Sequence, residues 1–243
     1  MRQQDIYRRT SPEPHMPHAV IVAHGQPSDP APAEAALAAY AQQIDALCQK
    51  VSVHSATLAA PQALEACLDN LPAGTAVYPL FMARGWFVTS ALPKRIGTRP
   101  VTILNPLGID PDLPTLVTDA LRQEVSKQGW EAAETDLVIA AHGSGRSANP
   151  AAVARGFAEA LGQLTTFKSI RTGFVEQPPS IADAAADCGD KAICLPFFAC
   201  TGGHVLDDIP HALSRARFTG SIMPVISELP QVAQRIAATL DTL

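Results

Sequence analysis

A chain of 243 residues, 47% of them hydrophobic, has enough apolar side chain to fill one large core or two ordinary ones, which excludes disorder as the starting assumption. Its net charge of −5 argues against nucleic acid as the main partner, because a phosphate backbone is met by a basic face. Five cysteines, odd in number and without a C-x-x-C pair, suit small buried thiols in a reducing compartment, so a cytoplasmic location is expected.

The opening MRQQDIYRRTSPEPHMPH has arginines and prolines but no apolar stretch, which predicts a flexible leader over residues 1–17 and not a secretory signal. No later apolar run approaches the roughly 20 residues needed to cross a bilayer. Beyond the leader the chain repeats itself. HAVIVAHGQPSDPAPAEAALAAYAQQI returns as DLVIAAHGSGRSANPAAVARGFAEAL, with His24 and His142 standing 118 residues apart. AVYPLFMARGWFVTSALPKRI returns as AICLPFFACTGGHVLDDIPHAL, with Pro79 and Pro196 117 apart. Two anchors with nearly equal offsets define an N-terminal unit over residues 18–128 and a C-terminal unit over 129–243.

Within each unit, short aliphatic runs alternate with helical patterns. In the second, LVIAA (137–141) predicts a strand, and PAAVARGFAEALGQL a helix with Pro150 in its first turn. KSIRTGFVE predicts a second strand, followed by a helix from the PPS segment to about Asp187. AICLPFF reads as a third strand and HVLDDIPHALSRA opens the next helix; SIMPV is a short fourth strand and LPQVAQRIAATLDTL the last helix. The first unit repeats this order. Strand–helix alternation implies parallel sheets covered on both faces, and apolar runs without polar alternation fit strands buried on both sides. The expected architecture is α/β: two flavodoxin-like lobes, each a four-stranded parallel sheet flanked by helices.

In such sheets ligands bind beyond the carboxyl ends of the strands, at the switch point between the first and third. His142 directly follows strand one, Glu176 closes strand two and His204 lies just past strand three, so the three should converge on one crevice. A histidine leaving a buried strand into a Gly-Ser turn can bind a metal, act as a base or hold a phosphate. A charge at the end of a buried strand, as at Glu176, needs solvent, a partner or a cation, and Pro178 and Pro179 stiffen the turn after it. HGSGRS lacks the lysine of a P-loop, no G-x-S-x-G surrounds Ser144, and Ala141 stands where histidine phosphatases carry arginine. Gly202 and Gly203 permit positive φ and close approach of backbone to a ligand. Asp208 and His211 share a helix face with His204, so the three form a candidate helical metal site, although Asp207 and Asp208 more plainly complement a helix N-terminus. In the first unit Ala59 stands opposite Glu176, and Trp86–Phe87 opposite Gly203–His204, so the polar set is complete only in the second. Trp86 and Phe87 fit either ordinary core or an apolar wall on the cleft.

The combination VIAAHGS, FVEQPPSIADA and ICLPFFACTGGHVLDDIP resembles the sirohydrochlorin chelatases, the type-II cobaltochelatases and ferrochelatases of cobalamin and sirohaem synthesis. The similarity spans nearly all of the second half, with the first half a diverged copy. It implies a lyase that holds the macrocycle between its lobes, with His142 and His204 binding the metal and receiving pyrrole protons and Glu176 as an acidic helper. Co²⁺ or Fe²⁺ would be substrate, with no tightly bound cofactor, no nucleic-acid or membrane partner, and a monomer or homodimer as the working form. Ser144, Arg146, Gly202, Gly203 and Arg84 are the candidates for binding the tetrapyrrole, the arginines for its carboxylates. Imidazole suits both jobs, since its ordinary pKa near 6.5 lets it bind a first-row ion or accept a proton. In many two-lobed members of that family the working set lies in the N-terminal half; here the complete set is C-terminal. Two other readings accompany this one: a metal- or tetrapyrrole-binding relative without catalysis, and a histidine-dependent phosphatase.

Overall fold

A computed structural model describes residues 16–243, so all but the last two residues of the expected leader lie outside the described residues. The first lobe runs β1 (His18–Ala23), α1 (Pro30–Leu47), β2 (Ser52–Thr57), α2 (Ala63–Asp69), β3 (Ala76–Pro79), α3 (Leu92–Ile96), β4 (Thr102–Ile103) and α4 (Leu113–Gln128). The second repeats it as β5 (Asp136–Ala141), α5 (Asn149–Leu164), β6 (Ser169–Phe174), α6 (Ile181–Ala185), β7 (Ala192–Phe197), α7 (Ile209–Arg215), β8 (Ser221–Ile222) and α8 (Pro230–Leu240). The sheets have orders β2-β1-β3-β4 and β6-β5-β7-β8, with every pairing parallel. This is the expected fold, with β1 and β5 each flanked on both sides so that a switch point opens at its carboxyl end.

The aliphatic strands divide their side chains between two cores, as the period of two requires. Ala19, Ile21 and Ala23 of β1, and Leu137, Ile139 and Ala141 of β5, face one central core shared by both lobes. Val20 and Val22 face an outer core with Leu64 of α2 and Leu92 of α3. Val138 and Ala140 do the same with Ile181 of α6 and Leu213 of α7. The central layer is built from α1, α4, α5 and α8, represented by Ile44, Leu121, Leu161 and Ile236, all fully buried. Here the lobes exchange partners: α4, closing the first lobe, packs against α5 and α8, and α8, closing the second, packs against α1 and α4. Polar links follow the same seam, from the Tyr40 hydroxyl to the Ser227 carbonyl (2.9 Å) and from Arg235 to Asp110 (2.9 Å).

Three local departures from expectation matter. The helix after Pro178–Pro179 is only five residues long, opened by a reciprocal capping box between Ser180 and Asp183 and closed by Ala186, whose ψ of 142° leaves the helix one residue before Asp187 at φ 60°. β6 stops at Phe174, which puts Glu176 in the following turn instead of on the strand. Phe87–Ala91 and His204–Asp208 are π-turns, closed by i→i+5 bonds from Leu92 N to Phe87 O and from Ile209 N to His204 O. Pro93 and Pro210 follow immediately; lacking an N–H, neither can supply the i→i+4 bond that would continue an α-helical register.

Candidate active site

His142 leaves β5 directly into Gly143, whose φ is +70°. A Cβ there would stand 2.9 Å from Gln177 Cγ and 3.0 Å from Phe174 Cβ, so this is the position where glycine is required. Beyond the end of β6 the bonding continues from the Val175 N–H to the Ala141 carbonyl and from the Glu176 N–H to the His142 carbonyl (both 3.0 Å), which seats Glu176 beside the histidine. Gln177 Oε1 accepts from the Ser144 N–H at 2.9 Å. The Ser144 hydroxyl accepts from the backbone N–H of Arg146 (3.1 Å) and Ser147 (3.2 Å) and so holds the turn. His204 arrives from the other side of β5, at the start of the π-turn after β7.

Positive φ is not the reason for the two glycines that precede it. Gly203 sits at φ −50° in the right-handed region, and Gly202 is not left-handed either. A Cβ at Gly202 would meet nothing within 4 Å, and one at Gly203 only Asp207 Oδ2 at 3.8 Å. What they leave is open space beside His204.

The two imidazoles meet edge to face, their planes 86° apart, with Nε2 of His142 3.1 Å from Nε2 of His204. Glu176 Oε1 lies 3.8 Å from the same His142 nitrogen. The opposite nitrogens fix the tautomers. His142 Nδ1 is 3.0 Å from the Gly143 carbonyl and His204 Nδ1 2.6 Å from Asp208 Oδ2. Both oxygens accept, so a neutral ring at either position places its hydrogen on Nδ1 and its lone pair on Nε2, and the two Nε2 atoms face one point. Two lone pairs facing each other at this distance repel unless a cation lies between them, whether a proton or a metal ion. All three side chains are half-exposed, so that point opens to solvent.

The first lobe repeats the backbone and changes the chemistry. Leu58 and Ala59 donate to the Ala23 and His24 carbonyls, as Val175 and Glu176 do to Ala141 and His142, which confirms Ala59 as the counterpart of Glu176. His24 is covered by Phe87, with ring centroids 4.2 Å apart, and Phe87 in turn packs on Trp86 and Phe81. Burial, followed by the charge of His142, holds the His24 pKa below its ordinary 6.5. Trp86 is 66% exposed, so it is not core.

Other expected residues are placed less centrally. The Arg84 guanidinium bonds Asn105, while its carbonyl accepts from Asn149 Nδ2 at 2.9 Å across the lobes. Arg146 is exposed, and its guanidinium has no polar partner among the described residues. No group of three or more histidine, cysteine, aspartate or glutamate side chains arranged for a metal occurs among the described residues. His204, Asp208 and His211 therefore form no such helical site: Asp208 bonds His204 directly. Nor does Asp208 cap α7, where it occupies the N-cap position without a side-chain capping bond. Its role was missed in the sequence, although the histidine–aspartate spacing of four, changed as a pair to Phe87 and Ala91 in the other lobe, marks it.

A family model described as CbiX matches residues 18–124 and again residues 136–242. The chain belongs to the CbiX family. The two matches fall one on each lobe, so the internal repeat is a repeat of the family unit itself. Among solved structures, the chain is 45% identical to CbiX described as the terminal enzyme for biosynthesis of siroheme in denitrifying bacteria, over 93% of this chain and 98% of that one, with a TM-score of 0.84. SirB from Bacillus subtilis with Fe³⁺ shares 18% identity over 92% of this chain and 94% of that one, at a TM-score of 0.72. DR2241 from Deinococcus radiodurans, a multi-domain protein with structural similarity to chelatases, shares 19% over 93% of this chain and 55% of its own length, at 0.71. The last two show the fold alone. No curated protein matches the chain.

Proposed function

We propose that this CbiX-family chain is a lyase that inserts Fe²⁺ or Co²⁺ into sirohydrochlorin, with the ion as substrate and no resident cofactor. The observation that carries the reading is the pair of imidazole Nε2 atoms facing each other 3.1 Å apart. Metal–imidazole bonds of about 2.1 Å to both nitrogens would subtend roughly 95° at an ion, an angle open to first-row metals with further positions free. Two protein ligands instead of a closed cage keep the ion exchangeable, as handing it on demands.

Insertion replaces two pyrrole N–H protons by one divalent ion. The imidazoles that present the metal also accept those protons as the ion moves to the macrocycle nitrogens, and Glu176, 3.8 Å from His142, passes them to solvent. Trp86 and Phe87 form an apolar wall for the flat ring in the lobe that has lost the second histidine. Arg84 and Arg146 meet the substrate carboxylates at the rim. The siroheme assignment of the 45% identical relative favours iron as the ion and the sirohaem route as its setting, with cobalt and cobalamin the alternative.

The test is anaerobic incubation with sirohydrochlorin and Fe²⁺, Co²⁺ or Ni²⁺ in parallel, following the absorbance change of metallation. Acceleration over the metal-only control, fastest with iron, is expected. Binding without acceleration would overturn the enzyme reading in favour of a carrier. No helix among the described residues is long and apolar enough to cross a membrane. Each chain supplies both walls of its cleft, so activity is expected in monomer fractions from gel filtration.

A further inference from the structure

Of the two histidines, His142 is held by the strand end from which it projects, whereas His204 stands at the edge of a π-turn behind two glycines. Apart from His142, its polar partner among the described residues is Asp208, at 2.6 Å. The carboxylate is half-exposed, makes no other ion pair among the described residues, and contributes no capping bond to α7. A role in the turn itself is excluded by the first lobe. There the same π-turn forms over Phe87–Ala91 with alanine in the aspartate's place. Where the histidine is absent the aspartate is absent too, although the backbone is unchanged.

We propose that Asp208 is a positioning residue for His204: by accepting a hydrogen bond from Nδ1–H it keeps the Nε2 lone pair turned toward His142. The physical need is specific. Left to itself, a neutral imidazole pair at this distance settles into an N–H···N hydrogen bond, with one ring turned to its Nε2–H form and its lone pair withdrawn from the cleft. Asp208 opposes that relaxation on one ring as the Gly143 carbonyl does on the other, and so keeps the pair open for a cation. The inference rests on the chelatase reading for its consequence, though not for its geometry.

Imidazole ¹⁵N spectra of the metal-free protein, together with Co²⁺ titrations and insertion rates, test it in wild type, Asp208→Ala, Asp208→Asn and His204→Ala backgrounds. Wild type should show His204 protonated at Nδ1. Asp208→Ala should move it toward the Nε2–H form and weaken both Co²⁺ binding and kcat/KM by about 10- to 100-fold, the usual scale for an outer partner of a metal-binding histidine. Asp208→Asn keeps an acceptor oxygen and should restore the tautomer and most of the loss. In the His204→Ala background, Asp208→Ala should cost nothing further in Co²⁺ binding. An unchanged tautomer in Asp208→Ala, or an equal Co²⁺-binding loss with and without His204, would overturn the proposal. A tautomer change in a protein whose wild type inserts no metal would instead overturn the chelatase reading and leave the positioning role standing.

Discussion

The sharpest consequence of the site geometry concerns how His142 and His204 combine. Their Nε2 atoms are 3.1 Å apart and directed at the same point, so each is useful only with the other in place. A positioned proton acceptor contributes roughly 10² to 10⁴ in rate, which corresponds to about 3–5 kcal/mol in the activation barrier. His142→Ala and His204→Ala should each lose that much in kcat/KM for sirohydrochlorin metallation, measured by absorbance after subtracting the metal-only rate. Because the pair acts as a unit, the double variant should fall no more than about tenfold below the worse single variant. His24→Ala, whose ring is tucked beneath Phe87, should lose less than about tenfold on the same reasoning. Independent, multiplying losses of 10⁴ to 10⁸ in the double variant would refute the shared-point geometry. An equal loss from His24→Ala would refute the assignment of the chemistry to the second lobe.

Three further outcomes are expected. Trp86→Ala should raise KM for the tetrapyrrole roughly 2- to 12-fold with little change in kcat, the worth of an aromatic contact of 0.5–1.5 kcal/mol; a kcat effect of the same size would remove Trp86 from the substrate wall. Asp136, fully buried at the start of β5, accepts from the Ser169 hydroxyl (2.6 Å), Lys168 (3.1 Å) and the Gly189 N–H (3.2 Å). Asp136→Ala removes those bonds from a fully buried position while its donors still reach solvent, and should cost about 1–3 kcal/mol, or a Tm decrease of about 2–12 °C in calorimetry. The matching place in the first lobe holds His18 bonded to His54 at 2.9 Å. Burial and then His18 depress the His54 pKa below 6.5, against a smaller opposing effect of Asp45. The unfolded chain then takes up the proton more readily, so this stability is complete above the ordinary value and declines as pH falls through the depressed one. Urea midpoints should fall between pH 7 and 5, and His54→Gln should flatten that slope.

The sequence made legible whatever depends on neighbours in the chain. HAVIVA and LVIAA announce strands because their side chains must be buried on both faces, and the paired offsets of His24/His142 and Pro79/Pro196 establish two units before any contact is known. Three of the residues around the crevice, His142, Glu176 and His204, could be placed because the strand order of such sheets is regular. The misses are of another kind. HVLDDIPHALSRA reads as one helix from His204, whereas its first five residues form a π-turn and Pro210 cannot supply the i→i+4 bond that would continue an α-helical register. Gly202–Gly203 look like conformational necessities and prove to be empty space, while the real necessity is Gly143, which no periodicity marks. The exchange of α4 and α8 between lobes is invisible because amphipathic helices show that they are covered and not by what. Asp208 offered two competing uses, a helical metal site and a helix N-terminus, and the structure gives it a third, a 2.6 Å contact with His204 Nδ1.

The comparison of the lobes also explains how a site can be lost from one copy without loss of the copy. The turn after β1, the extra ladder bonds to His24 and the π-turn all persist in the first lobe, because Gly25 at φ 76° and Pro93 still impose them. None of these features depends on Glu176, His204 or Asp208, whose counterparts are alanine, phenylalanine and alanine. Chemistry and scaffold are therefore separable here. The central core, shared through α1, α4, α5 and α8, constrains the scaffold of both lobes together, while the crevice residues are half-exposed and free to diverge. On the proposed function, a flat substrate held between two lobes would need a metal-handling group on one face and a surface to lie against on the other. Phe87 over His24, with exposed Trp86 beside it, would supply the second requirement from the same backbone that would supply the first in the other copy. On this view the loss of polar groups from the first lobe is a division of labour across the cleft, with the imidazole pair on one side and the aromatic wall on the other.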